Sequence, residues 1–196
     1  MQLVSLTPNN FQHAVELAAE TIAAGSTIVI PTDTVYGIAA NAFDEKAVQK
    51  VYQLKARDAS KPLPIFVKNI GMAKKIARIG LKNQKLLEEY WPGKITAILK
   101  KTNTCQTYGT AGNTIALRIP FYPFVNSLLE TLNLPITGTS ANLSGQPASI
   151  KIDEVLAQFQ NKPVKPTLVI NAGDLDPARP SKIIDLTGDK PKVLRD

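Results

Sequence analysis

The chain has 196 residues, of which 44% are hydrophobic and 20% are charged, a composition typical of a globular protein with a sizeable core. One cysteine, Cys105, and one histidine, His13, exclude an internal disulfide and a zinc site built from several cysteines and histidines. The net charge of +7 favours anionic partners such as nucleotides, phosphates or RNA, although a generally basic surface gives the same number.

The N-terminal residues carry no basic region that leads into a long apolar run, which a secretory signal requires. No stretch of the sequence reaches the ~20 uninterrupted apolar residues of a membrane span. The sequence therefore predicts a soluble, cytoplasmic protein with no membrane association.

Helices and short strands are predicted to alternate along the chain, with proline and glycine marking the breaks between them. The first helix is expected to begin after Thr7-Pro8 and to end at Gly25. Further helices are expected from Asp44 to near Lys55, around 70–78 and 83–90, from Pro123, and from Ile152 to Phe159. Strands are expected at 27–30, 63–67, 95–99, 114–119, from Pro135, and near 167–170, 182–186 and 192–194. The pattern predicts a single α/β domain over residues 1–196 with an open, mixed sheet.

Common nucleotide-binding and hydrolase motifs are missing from the sequence. Neither a G-x-x-x-x-G-K-[ST] loop nor a G-x-G-x-x-G turn occurs, so P-loop and Rossmann phosphate binding are not supported. A G-x-S-x-G elbow is also missing, and a Ser-His-Asp hydrolase would depend entirely on His13, which the pattern places on an ordinary helix.

Four groups of polar residues follow predicted strands or helices, where α/β proteins build their sites. They are 31–37 (PTDTVYG), 55–62 (KARDASKP), 137–145 (TGTSANLSG), and the strand-end pair Arg118 and Arg195. Hydroxyls, a carboxylate and small residues allow close hydrogen bonding to a ligand, and arginine and lysine bind phosphate or carboxylate. Each group also has a purely structural interpretation, such as a capped turn or cations placed at a helix C-terminus.

Together these segments resemble the YrdC-like family of threonylcarbamoyl-AMP synthases. The matching residues are Pro31–Gly37, Lys55-x-Arg57 followed by Lys61–Leu63, Ala116–Arg118, Ser140–Gly145, Pro180–Asp185 and Arg195. The length is that expected of the short bacterial form. The resemblance implies a twisted, open, mixed α/β sheet with flanking helices around a basic cavity. It also implies a reaction in which L-threonine, bicarbonate and ATP give threonylcarbamoyl-AMP and pyrophosphate, with Mg²⁺ expected to accompany ATP. Partner transferases then use the product to modify tRNA.

The resemblance also implies roles for individual residues. Lys55 and Arg57 are expected at the catalytic centre, the lysine through its field or by binding bicarbonate, and no residue is assigned to a metal. The expected ATP-binding residues are Arg57, Lys61, Thr114, Ser140, Asn142 and Arg195. The expected L-threonine-binding residues are Thr34, Arg118 and Ser181.

Three positions depart from the family pattern. Phe66 stands where several longer members carry a histidine, Ala148 where they carry a serine, and Lys182 replaces a frequent threonine. Two alternatives to the synthase interpretation remain open at this point. One is a non-catalytic protein that binds structured RNA such as tRNA or rRNA through its basic concavity, and the other is a divergent paralogue that acts on another substrate.

Overall fold

The computed structural model describes residues 1–196, and strands and helices alternate along all of them. The helices are α1 (Phe11–Ala23), α2 (Glu45–Lys55), α3 (Ile70–Ile76), α4 (Leu81–Tyr90), α5 (Pro123–Leu132) and α6 (Ile152–Gln160). The strands are β1 (Gln2–Ser5), β2 (Ile28–Ile30), β3 (Gly37–Ala39), β4 (Ile65–Phe66), β5 (Ile95–Lys100), β6 (Thr114–Arg118), β7 (Ile136–Thr137), β8 (Thr139–Ser140), β9 (Leu168–Asn171), β10 (Lys182–Asp185) and β11 (Lys192–Arg195). None of the six helices has the length and apolarity that crossing a bilayer requires.

Local sequence signals explain where several helices begin and end. The Asp44 carboxylate accepts a hydrogen bond from the Ala47 amide at 3.1 Å and so caps the start of α2. Asn69 caps α3 in the same way through the Met72 amide at 2.8 Å. Helix α2 ends at Ala56, which adopts a left-handed conformation with φ of 46°. An alanine in this conformation costs about 1 kcal/mol or more, and the position directly precedes Arg57.

The strands form two mixed sheets. The five-stranded sheet has the order β1-β9-β2-β3-β8, and the six-stranded sheet has the order β11-β10-β5-β6-β4-β7. Parallel pairs join β1 to β9, β2 to β9, β5 to β10 and β4 to β6, while the other neighbours are antiparallel. The predicted mixed α/β class is confirmed. Strands β3 and β8 extend the sheet that contains β1, β9 and β2, whereas β7 pairs with β4 in the six-stranded sheet.

Side chains alternate cleanly across the six-stranded sheet. Ala97 and Leu99 of β5 pack with Met72 and Leu87 of α3 and α4 in one buried cluster. Thr96 and Ile98, which alternate with them on β5, face the other way and line a cavity. One face of this sheet is therefore covered by helices, and the opposite face is available for a ligand.

Most predicted elements are present, with shifted ends. Helix α1 begins at Phe11 because Pro8–Asn10 forms a separate 3-10 turn, and α3 stops at Ile76 because Ala77 is extended. Strands β1, β3 and β8 were not predicted from the sequence. Strand β1 is largely exposed, and β3 and β8 have only three and two residues, so neither length nor apolar alternation reveals them.

Candidate functional site

A cavity of about 600 Å³ lies between the two sheets. Strands β3 and β8 contribute to it from one sheet, and β4, β5, β6, β10 and β11 contribute from the other. The charged residues that line it are Arg57, Lys61, Arg118 and Arg195, and no carboxylate lines it. Hydroxyl and amide side chains supply further donors. A cavity with four cations and no acid favours anionic ligands.

Eight of the ten predicted site residues line this cavity. They are Thr34, Arg57, Lys61, Arg118, Ser140, Asn142, Ser181 and Arg195. Lys55 lines a second hollow of about 340 Å³, which shares Arg57, Lys61, Ser140 and Asn142 with the first. The structure thus brings residues from distant parts of the chain to two connected spaces.

Thr114 is the predicted site residue that lines neither space. It begins β6, and its hydroxyl donates a hydrogen bond to the Ala111 carbonyl at 2.9 Å. Ala116 and Arg118 follow at alternate positions on the same strand and do line the cavity. The predicted contact between Thr114 and a nucleotide remains a prediction.

Arg118 is held in one orientation by groups on three sides. Its Nε donates to the Gly93 carbonyl at 2.9 Å, its Nη1 to the Thr34 hydroxyl at 3.3 Å, and its Nη2 to the Asp33 carboxylate at 2.6 Å. The guanidinium also lies 5.7 Å from the centre of the Phe66 ring. Burial lowers the pKa of Arg118, and Asp33 opposes that shift. A guanidinium has five N–H groups, so two remain for a ligand.

Asp33 was not assigned a role from the sequence. Its side chain is only 7% exposed, and its second oxygen accepts a hydrogen bond from the Phe121 amide at 3.2 Å. The carboxylate therefore compensates the buried Arg118 charge and fixes the guanidinium relative to the loop after β6. Two features of the sequence could have identified this pair. Asp33 is the one carboxylate in a segment of hydroxyl residues, and Arg118 at the end of a buried strand needs a counter-charge.

Phe66 and Gly138 form an apolar wall beside Arg118. Both line the cavity, and the ring lies so close to Gly138 that a Cβ at this position would overlap it. Gly138 is therefore required for the observed position of the ring. The Arg118 guanidinium in turn lies over the face of this ring.

Lys55 is buried among oxygen atoms of the 137–145 segment. Its Nζ donates to the Ser140 carbonyl, to the Asn142 carbonyl at 2.8 Å and to the Asn142 side-chain oxygen at 3.0 Å. The ammonium has three N–H groups, and all three are used. Burial lowers the pKa of Lys55 to about 8, and the nearby Arg57 charge contributes to the shift. Lys55 thus fixes the loop that carries two other predicted site residues.

Arg57 and Lys61 occupy the short turn after α2. Arg57 donates through Nε to the Lys61 carbonyl at 3.3 Å and through Nη2 to the Pro62 carbonyl at 3.1 Å. Tyr52 donates to the same Lys61 carbonyl at 3.0 Å. The Lys61 side chain is exposed and lines both spaces. Both cations are positioned to meet an anion at the junction of the two spaces.

Ser181 and Arg195 lie together at another part of the cavity. The Arg195 guanidinium donates through Nε to the Ser181 carbonyl at 3.0 Å. The Ser181 hydroxyl lies 2.8 Å from the Thr96 hydroxyl, and all three residues line the cavity. Thr96 was missed from the sequence, where a polar residue inside the apolar strand Ile95–Leu99 was the only signal.

Tyr36 connects the 31–37 segment to the end of β9. Its hydroxyl donates to the Gly173 carbonyl at 2.6 Å and accepts from the Ala172 amide at 3.0 Å. Burial raises its pKa to about 12, so the phenol stays protonated at neutral pH. Its role is to position the loop rather than to exchange protons. His13 is exposed on α1 and does not line the cavity.

A family model and two comparisons with individual proteins match nearly all of the chain. The family model Sua5_yciO_yrdC, described as "Telomere recombination", matches residues 20–196. A threonylcarbamoyl-AMP synthase of Pyrococcus abyssi is 33% identical over 183 residues, which are 92% of this chain and 53% of that protein. The chain therefore spans about half the length of this relative. The crystal structure of P. abyssi Sua5 complexed with L-threonine aligns with a TM-score of 0.87 at 31% identity, over 99% of this chain and 56% of that one.

A relative of similar length aligns equally well. The crystal structure of E. coli YciO gives a TM-score of 0.87 at 25% identity, covering 100% of this chain and 95% of the other. The fold described above is thus found both in a longer relative and in a relative of nearly the same length.

Proposed function

The chain belongs to the Sua5/YciO/YrdC family, and we propose that it is a threonylcarbamoyl-AMP synthase. It condenses L-threonine, bicarbonate and ATP to threonylcarbamoyl-AMP and pyrophosphate, so the transfer is that of a nucleotidyl group. The observation that carries the proposal is the cavity lined by four cations and no carboxylate. The relatives named for this activity, and the relative whose structure holds L-threonine, support it.

Residues 1–196 act as one domain in this proposal. The cavity draws on both sheets, and its lining extends from Thr32 near the start of the chain to Arg195 near its end. Of its four cations, Arg118 and Arg195 lie on the six-stranded sheet, and Arg57 and Lys61 lie in the turn after α2. A shared cavity of this kind requires the two sheets to fold as a unit.

The threonine end of the cavity is assigned to Arg118. Its two N–H groups without a partner can bind a carboxylate, and Asp33 and Thr34 hold the guanidinium in a fixed plane. Thr34 and Ser181 lie on the same cavity and offer hydroxyls to the amino acid. The apolar ring of Phe66 faces this region and excludes water from one side of the bound substrate.

The nucleotide end is assigned to Arg57 and Lys61, with Ser140 and Asn142 beside them. Arg195 is assigned to the same ligand from the border with the threonine end, because its guanidinium donates to Ser181. Arg57 can bind a phosphate through its unspent N–H groups, and Lys61 adds a mobile charge. Lys55 contributes its field and holds the Ser140 and Asn142 backbone, since its three N–H groups are occupied. Direct contact between Lys55 and bicarbonate requires that one of these bonds be exchanged.

The chemistry needs no nucleophile from the protein. The threonine amine attacks the carbon of bicarbonate, and loss of water leaves a carbamate. A carbamate oxygen then attacks the α-phosphorus of ATP, and the bond to the β-phosphate oxygen breaks to release pyrophosphate. The protein lowers the barrier by holding three anionic reactants together and by neutralising charge that develops on the phosphoryl oxygens. The lining of cations and hydroxyls is suited to both tasks.

Mg²⁺ that enters with ATP has no carboxylate ligand waiting in the cavity. Asp33, which does not line the cavity, is engaged by Arg118 and by the Phe121 amide. Phosphate oxygens and water are therefore the expected ligands of the ion, whereas Mg²⁺ in nucleotide sites usually has one or two carboxylate ligands as well. Transfer of the product to tRNA falls to separate transferase proteins in this proposal.

Pyrophosphate release by the purified chain tests the proposal. With ATP and Mg²⁺ present, release should require both L-threonine and bicarbonate, and omission of either should reduce it to the background. Release that is independent of threonine would identify a family member with another substrate. Complete lack of release, with ATP still bound, would contradict the synthase assignment and leave a binding function.

A further inference from the structure

An aromatic side chain lies directly beside the arginine at the threonine end of the cavity. Phe66 of β4 and Arg118 of β6 are neighbours in parallel register, so their side chains lie next to each other on one face of the six-stranded sheet. The centre of the guanidinium is 5.7 Å from the centre of the ring. On another side of Arg118, Nη1 donates to the Thr34 hydroxyl at 3.3 Å. A cation, a hydroxyl and an apolar ring therefore meet at one place.

This place is the enclosed end of the cavity. Phe66, Arg118 and Thr34 are only 2%, 3% and 4% exposed, although all three line the cavity. At the nucleotide end, by contrast, Arg57 is half-buried and Lys61 is exposed. A group bound beside Phe66 is thus surrounded by protein, and the side chains around it limit its size.

The Phe66 ring is fixed by close packing. A Cβ on Gly138 would overlap three carbons of the ring, so the ring packs directly against the glycine backbone. The Gly138 amide is held in turn by a hydrogen bond to the Pro64 carbonyl at 2.8 Å. The ring also belongs to a buried cluster that includes Phe124 and Ile136. Phe66 is therefore a rigid wall, and a closely packed wall discriminates against groups that are too large or too small.

An amino acid bound to Arg118 brings its own side chain to this wall. Its β-carbon is about 2.5 Å from the carboxyl carbon, so the substituents on that carbon are within contact distance of the groups around the guanidinium. The amine has to stay free to react with bicarbonate. The hydroxyls of Thr34 and Ser181 can bind the threonine hydroxyl, whereas a phenylalanine ring has no donor for it. The methyl group is then the substituent that fits against Phe66.

We propose that Phe66, held in place by Gly138, is the residue that determines which amino acid side chain the cavity accepts. It selects the methyl group of threonine over the hydrogen of serine and over larger substituents. This inference rests on the proposed function, because it requires Arg118 to bind the carboxylate of the substrate. One methyl group in an apolar site accounts for about 10–200-fold in selectivity.

Calorimetric titrations with three amino acids test the proposal. L-Serine, L-threonine and L-3-hydroxynorvaline carry the same hydroxyl and differ only in having a hydrogen, a methyl or an ethyl group on the β-carbon. The wild-type chain should bind threonine most tightly, with serine weaker by about 10–200-fold. The ethyl compound should also bind more weakly than threonine, because the fixed ring leaves no space for the extra carbon.

Phe66→Leu should change this order. Leucine is apolar but smaller than phenylalanine, so the contact with the methyl group is lost and space is opened. Threonine should bind about fourfold more weakly or worse, which is the effect of one methylene-sized contact. The affinity for serine should stay the same, and 3-hydroxynorvaline should bind more tightly than it does to the wild-type chain.

Gly138→Ala tests the same wall without altering Phe66. The added Cβ forces the ring to move, and movement in either direction removes the fit for a methyl group. The ratio of threonine affinity to serine affinity should therefore fall in this variant as well. Thermal melting checks that each variant is folded.

Ile183→Val is the matched control. Ile183 lines the same cavity, but its strand β10 is three strands away from β4, which is about 14 Å across the sheet. The control should leave the order of the three amino acids unchanged.

Equal weakening of serine and threonine in Phe66→Leu would indicate general damage to the site and would overturn the proposal. An unchanged ratio of the two affinities in both Phe66→Leu and Gly138→Ala would overturn it too. Pyrophosphate release distinguishes these results from a failure of the proposed function. If the wild-type chain shows the expected order of binding but releases no pyrophosphate with ATP and bicarbonate, the synthase assignment fails and selection by Phe66 stands. If serine supports release as well as threonine does, selection by Phe66 fails and the synthase assignment stands.

Discussion

Lys55 and Arg118 are the two cations that the fold buries, at 2% and 3% exposure, but their surroundings differ. Lys55 is surrounded by neutral oxygens of the Ser140–Asn142 loop, and each of its N–H groups has a partner. Arg118 is compensated by an ionised group, Asp33, and keeps two N–H groups free.

The difference shows how burial can fix a cation for two separate tasks. A lysine whose three donors all bind oxygens of one loop, two backbone carbonyls and one side-chain amide, organises that loop and acts on a ligand through its field. An arginine with three of its five N–H groups bound to fixed partners presents the remaining two N–H groups in a defined direction. This difference supports the proposal that Lys55 has a positioning role at the nucleotide end of the cavity and that Arg118 contacts threonine directly.

Arg118→Met should give the largest effect. It leaves Asp33 buried without its counter-charge, which costs about 3–5 kcal/mol of the free energy of unfolding. Denaturant unfolding measures this cost. The double variant Asp33→Asn/Arg118→Met should recover part of it because the remaining amide is neutral, and it should still fail to bind threonine. Equal stability of the single and double variants would mean that the ion pair is not the cause.

Lys55→Met should act on the nucleotide end. The substitution removes the charge and leaves three oxygens of the Ser140–Asn142 loop without their donor, so ATP binding should weaken by about 1–3 kcal/mol. Amide hydrogen exchange in the loop should become faster. Lys46→Met on the same helix is the control, since Lys46 is exposed and should change neither quantity. Unchanged ATP affinity in Lys55→Met would refute the positioning role.

The pH dependence of stability and of ATP binding should further distinguish Lys55 from Arg118. The pKa of Lys55 is lowered to about 8 in the folded chain, below its ordinary value, so the unfolded chain binds more protons above that pH. The free energy of unfolding should therefore gain from this group as the pH rises through 8. ATP affinity should fall over the same range because the ammonium charge is lost. In Lys55→Met both changes should disappear, and a wild-type ATP titration that is flat from pH 7 to 9.5 would contradict the shift.

Ala56→Gly should give the smallest effect. Glycine adopts the left-handed conformation of this position without strain, so the variant should gain about 1 kcal/mol in the free energy of unfolding. Asn133→Gly is the matched control, because Asn133 ends α5 in the same conformation and asparagine tolerates it better. Its gain should be smaller, and equal gains would argue against strain at Ala56.

Local signals predicted much of the fold. The apolar spacing of α1 and the aspartate that caps α2 are properties of neighbouring residues, and both helices lie where they were expected. The division into two sheets depends on β3 pairing with β8, about a hundred residues further along the chain. No pattern within either short strand encodes that pairing.

The same limit applies to the cavity. Its cations were found because they follow predicted strands and helices, where α/β proteins build their sites, and because they match the motifs of the family. Which groups they pair with was not found, because Asp33 lies 85 residues from Arg118 and Asn142 lies 87 residues from Lys55. Whether a buried cation faces a ligand or a backbone loop is decided by these distant contacts, which only the structure supplies.

The most direct test of this division is a pair of calorimetric titrations, with ATP alone and with L-threonine alone, on Arg57→Ala and Arg118→Lys. Lysine at 118 keeps the charge opposite Asp33 but loses the planar fork. Arg57→Ala should weaken ATP binding by about 1.5–3 kcal/mol and leave threonine binding unchanged, whereas Arg118→Lys should weaken threonine binding and leave ATP binding unchanged. Equal damage to both ligands in both variants would contradict separate nucleotide and threonine ends in this cavity.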